Sequence, residues 1–113
     1  MNKFAFIKSV EALLDGRTII YPKDKFLMAI DKFADLLTES DAGATVEVST
    51  KNTAGDSVSR DIVVCVKTYS LHVADIPAFR KFTEYSDTIE ISQSKAERDK
   101  IVATFTFKNI FKT

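Results

Sequence analysis

Cys65 and His72 are the chain's only cysteine and only histidine, and nucleophilic chemistry would have to start with them. A thiol attacks as its thiolate, so it needs exposure and a neighbouring cation or base. Cys65 lies inside VVCVK, a β-branched run in which a thiol behaves as a small buried hydrophobe. His72 stands between Leu71 and Val73, and its sequence neighbours supply neither a nucleophile nor an orienting carboxylate. Both residues are expected to be structural, and an enzyme using Cys65 and His72 is kept as an alternative. One His and one Cys among scattered carboxylates make no zinc pattern, and the loop from Asn52 to Asp56 lacks the alternating oxygen ligands of a calcium site. Gly16, Gly43 and Gly55 are the only three glycines, and each has a turn to explain it rather than a phosphate cradle. The expectation is therefore no cofactor, no metal and no enzymatic activity.

A second kind of chemistry is recognition by charge. Asp31, Asp35 and Glu39 recur every four residues, so on a helix they form one line, with Asp24 and Met28 in the same sector. Like charges at that spacing repel, and the last two lie near the helix C-terminus, where the dipole disfavours anions. Such a line is either an ordinary solvated face bordered by Lys25 and Lys32 or a contact surface for a basic partner protein. Asp24, Met28, Asp31, Asp35 and Glu39 are the leading candidates for partner binding.

The last third of the chain is richer in cations. Arg80, Lys81, Lys95, Arg98, Lys100 and Lys108 are interleaved with phenylalanines, a combination that can neutralise phosphates and stack bases. Glu84, Glu90, Glu97 and Asp99 dilute that patch, so nucleic-acid binding stands as the alternative. After the final strand, Ile110 and Phe111 have no further element to bury them. They either fold back onto the first helix or form an apolar patch for a dimer. An edge strand, from Ala44 to Thr50 or from Thr88 to Ser92, offers self-association by strand pairing.

The elements that must position these groups follow from periodicity. Asn2 can cap a helix over about residues 3–14, with Phe6, Ile7, Val10, Leu13 and Leu14 on one side and Gly16 in the left-handed exit position. Thr18 to Tyr21 is extended before Pro22, which opens the longest periodic stretch, running to about Thr38 or Ser40. Its apolar arc of Phe26, Leu27, Ala29, Ile30, Phe33, Ala34, Leu36 and Leu37 covers about half the circumference, more than one neighbouring helix can bury, so a sheet is required.

Residues 44–50 alternate as a half-buried strand, and residues 51–57 are a polar hairpin loop. Residues 58–69 are apolar on both faces, which fits a central strand covered on both sides or a sheet with one covered and one partly exposed face. Asp75 caps a third, short helix ending near Tyr85, with Phe79 and Phe82 on one side. Strands follow over 88–92, with Ile89 and Ile91 inward, and over 101–107. Ser94 and Glu97 match a capping box between them. The predicted order is α-α-β-β-α-β-β: one α+β domain over residues 1–113, with a mainly antiparallel four-stranded sheet and helices on one face. Thr104, Thr106, Lys67, Glu47 and Glu90 are expected on the other face.

Composition narrows the function classes. The 113 residues hold 16 basic and 16 acidic side chains, so no whole-chain field steers the protein towards nucleic acid or an anionic membrane. A single cysteine fits a reducing compartment. Lys8 and Glu11 interrupt any signal-peptide core, and no apolar run is long enough to span a membrane. A cytoplasmic, non-enzymatic binding, accessory or inhibitor protein is expected, of the kind that phages and mobile elements encode, acting through contacts with another protein.

Overall fold

The computed structural model of the protein describes residues 2–40, 43–51, 60–69, 82–93, 95 and 100–111. Helix α1 spans Lys3–Leu14 and buries Phe6, Val10 and Leu14, one stripe at four-residue spacing. Asn2 caps it: the side-chain Oδ1 accepts the Ala5 N–H at 3.1 Å, satisfying one of the amides that the first turn leaves without a partner. Gly16 ends it with φ of +68°, the left-handed geometry that a Cβ disfavours.

Helix α2 spans Lys23–Ser40. It starts one residue after Pro22, whose carbonyl accepts the Phe26 N–H at 3.0 Å. Phe26, Ala29, Ile30, Phe33, Ala34 and Leu37 are buried, while Leu27 is half-buried at the border of the core. The wide apolar arc predicted from spacing is thus the buried one.

Four strands follow, β1 (Thr45–Lys51), β2 (Asp61–Thr68), β3 (Thr88–Gln93) and β4 (Ile101–Phe107). They form one antiparallel sheet in the order β1-β2-β4-β3. The α+β class and the one-sided helix layer agree with the expectation. Alternation in sequence assigns faces but not neighbours, and the structure supplies the neighbours: β2 and β4 are central, β1 and β3 are the edges.

The inward face carries Ile62, Val64 and Val66 of β2 and Ala103, Phe105 and Phe107 of β4, all buried. The register aligns Glu47, Cys65, Thr104 and Glu90 in one row across the outward face. Lys67 and Thr106 share that face by strand parity, as expected.

Between the layers the packing is aromatic. Phe82 stacks on Phe33 of α2 at 4.5 Å between centroids and 8° between planes. It also meets Phe105 edge-on at 5.1 Å and Phe107 at 5.3 Å, and Phe26 meets Phe107 at 5.5 Å. Offset and edge-to-face pairs of this kind add about 0.5–1.5 kcal/mol each beyond the area they bury. Most of the predicted third helix lies outside the described residues; its end does not, since Phe82 and Thr83 are helical and Glu84 and Tyr85 form a turn. The Ser94 and Glu97 capping box also lies outside them.

The chain end folds back. Asp61 Oδ1 accepts the Asn109 N–H at 2.8 Å, and Asp87 Oδ2 accepts the Lys108 N–H at 2.6 Å. Asn109 takes φ of 51°, a left-handed value that Asn tolerates better than most side chains. This turn carries Ile110 and Phe111 into the core, where both are buried. Ile110 O accepts the Ile20 N–H at 2.9 Å, and Ile19 bridges Phe111. The Arg17 guanidinium lies 3.5 Å over the Phe111 ring. Ile110 and Phe111 thus fold back into the core and meet Arg17, Ile19 and Ile20 of the segment that follows α1.

Candidate functional site

The surface that departs furthest from an ordinary solvated exterior is β3. Its sequence, TIEISQ, alternates apolar and polar residues, and its register with β4 sets Ile89 opposite Phe105 and Ile91 opposite Ala103. Both partners are fully buried, so Ile89 and Ile91 share the helix-covered face by parity. They are nevertheless 38% and 53% exposed. Every residue of β3 is exposed, and α1 and α2 meet this same face over other strands: α1 packs on β1, and α2 reaches Phe105 and Phe107 of β4. The expectation that Ile89 and Ile91 point inward is right for the face and wrong for the cover.

An edge strand presents a row of backbone N–H and C=O groups towards open space. Protein edges are commonly guarded by Lys, Pro, bulges or a covering element. Residues 88–93 contain neither Lys nor Pro and keep an unbroken register with β4. The opposite edge differs: β1 carries Glu47 and Lys51, and its Val46 and Val48 are half-buried at the border of the core. Of the two edges named from sequence, β3 is the accessible apolar one.

The acidic line on α2 is partly answered within the chain. Lys3 of α1 reaches Asp31 at 3.0 Å and Asp35 at 2.5 Å. Hydrogen bonding to Asp35 and then to Asp31 raises the Lys3 pKa above its ordinary value. The like-charge repulsion read along α2 is thus relieved by a residue twenty-eight positions before Asp31, which helical spacing within α2 could not reveal. Asp24 and Glu39 are exposed, and Met28 is 57% exposed. On its other flank Met28 borders a depression of about 320 Å³ lined with Lys25, Ala29, Lys32 and Tyr85. The sector around Met28 is therefore mixed in sign.

The basic set does not converge among the described residues. Lys95 and Lys100 belong to the end of the sheet where β3 passes to β4, and Lys100 Nζ sits 5.0 Å over the exposed Tyr69 ring. Lys108 follows the far end of β4, about 27 Å away at the usual strand rise of about 3.4 Å per residue. Arg80, Lys81 and Arg98 lie outside the described residues.

Cys65 is half-buried on the outward face of β2, and the Thr104 hydroxyl is 4.0 Å from its Sγ. Its row across the sheet contains two glutamates and no cation. His72 lies outside the described residues. No group of three His, Cys, Asp or Glu side chains among the described residues is placed to hold a metal ion, and no described helix is long and apolar enough to cross a membrane. Comparison with protein-family models, with curated proteins and with solved structures gives no match, so the sites rest on this chain's own geometry.

Proposed function

We propose that the protein is a non-enzymatic binding protein that acts through protein–protein contact, with the β3 edge as its contact element. The observation that carries this is the exposure of β3 at an edge of the sheet formed by the described strands, with Ile89 and Ile91 uncovered beside buried partners in β4. Strand addition to such an edge draws affinity from main-chain hydrogen bonds and specificity from alternate side chains. An accessory or inhibitor role, phage or mobile-element origin and a cytoplasmic setting belong to the same proposal and come from composition and size.

The acidic sector of Asp24, Met28, Asp31, Asp35 and Glu39 is the second contact surface, for a basic partner, favoured by the exposure of Met28 among charged neighbours. The test is affinity capture with nuclease-treated lysate, comparing wild type with Ile91→Lys and with the triple reversal Asp31→Lys, Asp35→Lys, Glu39→Lys. Loss of specific protein capture in Ile91→Lys supports the β3 reading. Loss only in the triple reversal moves the contact to α2, and capture that disappears with nuclease in wild type shifts the function to nucleic acid.

A further inference from the structure

We infer that the β3 edge takes a second copy of this chain, pairing antiparallel across a twofold axis at Ile91 so that the two sheets become one. This rests on the reading of β3 as a protein-binding edge and names its occupant.

The argument is one of self-complementarity. A twofold axis perpendicular to the sheet keeps both helix layers on the same side, and antiparallel pairing then sets residues of like parity opposite each other. Only registers centred on a residue satisfy both conditions. Centred on Glu90, the strand places two carboxylates face to face, which is destabilising in a cross-strand pair. Centred on Ile91, it sets Ile91 against Ile91, Glu90 against Ser92 and Ile89 against Gln93. The only charged side chain of β3 then meets a neutral hydroxyl, and the most exposed apolar residue of the strand is covered by its own copy. A register centred on Ile89 sets Glu90 against Thr88 but leaves Ile91 against the charged Asp87.

Two further features favour a copy of the same chain. The formal net charge is zero, so no long-range repulsion separates two copies. Neither α1 nor α2 packs closely against β3, so two β3 edges can approach without meeting either helix. A contact of this length falls below about 1,200 Å², the range of weak interfaces, so association in the micromolar range is expected rather than an obligate dimer.

The test is sedimentation equilibrium on the purified full chain, from low micromolar to near-millimolar concentration, together with disulfide trapping in a Cys65→Ser background. Wild type should move from monomer to dimer with concentration, and Ile91→Lys should remain monomeric with an unchanged circular dichroism spectrum. Ile91→Cys should form a cross-linked dimer under mild oxidation, because directly opposed Cα atoms are about 4.5–5.5 Å apart, within disulfide reach. Glu90→Cys should not, since two Glu90 positions in this register are about 8 Å apart by strand rise and spacing. A chain that stays monomeric throughout overturns the inference, as does a dimer unaffected by Ile91→Lys, or trapping through Glu90→Cys in preference to Ile91→Cys. A monomeric chain whose capture of other proteins is still lost in Ile91→Lys overturns self-pairing alone. A monomeric chain with capture unchanged overturns the binding edge as well.

Discussion

Phe82→Ala should be the most damaging single substitution among the described phenylalanines. Phe82 is fully buried, stacked on Phe33 at 4.5 Å and edge-on to Phe105 and Phe107 at 5.1 and 5.3 Å. It therefore joins α2 to the central strand β4. Truncating a buried phenylalanine costs about 3–5 kcal/mol, against a total stability of about 5–15 kcal/mol for an ordinary domain. With a urea m-value of about 2 kcal/mol/M, the midpoint should fall by about 1.5–2.5 M. Phe4, 69% exposed on α1 under the Lys8 ammonium, is the control, and Phe4→Ala should stay within about 0.5 kcal/mol. The assay is equilibrium urea unfolding followed by far-ultraviolet circular dichroism. A Phe82→Ala cost below about 1 kcal/mol, or one equal to that of Phe4→Ala, would refute the role of Phe82 as the contact between the layers.

Gly16→Ala should destabilise by about 1–2 kcal/mol, because the position has φ of +68° while an added Cβ would meet nothing within 4 Å; the cost is conformational and not steric. Unfolding that matches wild type would mean that the helix exit relaxes to negative φ. Tyr21 gives a pH signature: burial, then the charge of Asp87, raises its phenol above the ordinary value of about 10. The folded state therefore holds the proton more tightly than the unfolded state, so the Tyr21 contribution is complete below about pH 10 and is lost as pH rises through the folded pKa. Tyr21→Phe should remove that alkaline loss. It should also cost about 1 kcal/mol at neutral pH, since the Tyr21 hydroxyl donates to Tyr85 O at 2.6 Å. Thermal melts between pH 7 and about pH 11 check both, and identical alkaline profiles for the two proteins would contradict the assignment.

What was legible in the sequence was local. Asn2, Gly16 and the Phe6, Val10, Leu14 spacing define α1, and the apolar arc of α2 is written in its own residues, because caps and period act over four or five positions. The same holds for the strand faces: Glu47, Lys67, Glu90, Thr104 and Thr106 share the outward side by alternation alone.

Tertiary structure decided what depends on contacts between distant segments. Alternation placed Ile89 and Ile91 on the inner face, but whether a helix covers that face depends on where α1 and α2 cross the sheet. Asp61 and Asp87 hold the turn that buries Ile110 and Phe111 from 48 and 21 residues away. Lys3 answers the acidic line of α2 from a different helix. Period and propensity constrain a residue's direction from its own strand or helix, whereas burial and charge balance are set by whatever the fold brings opposite it, and strand order is chosen only when those partners meet.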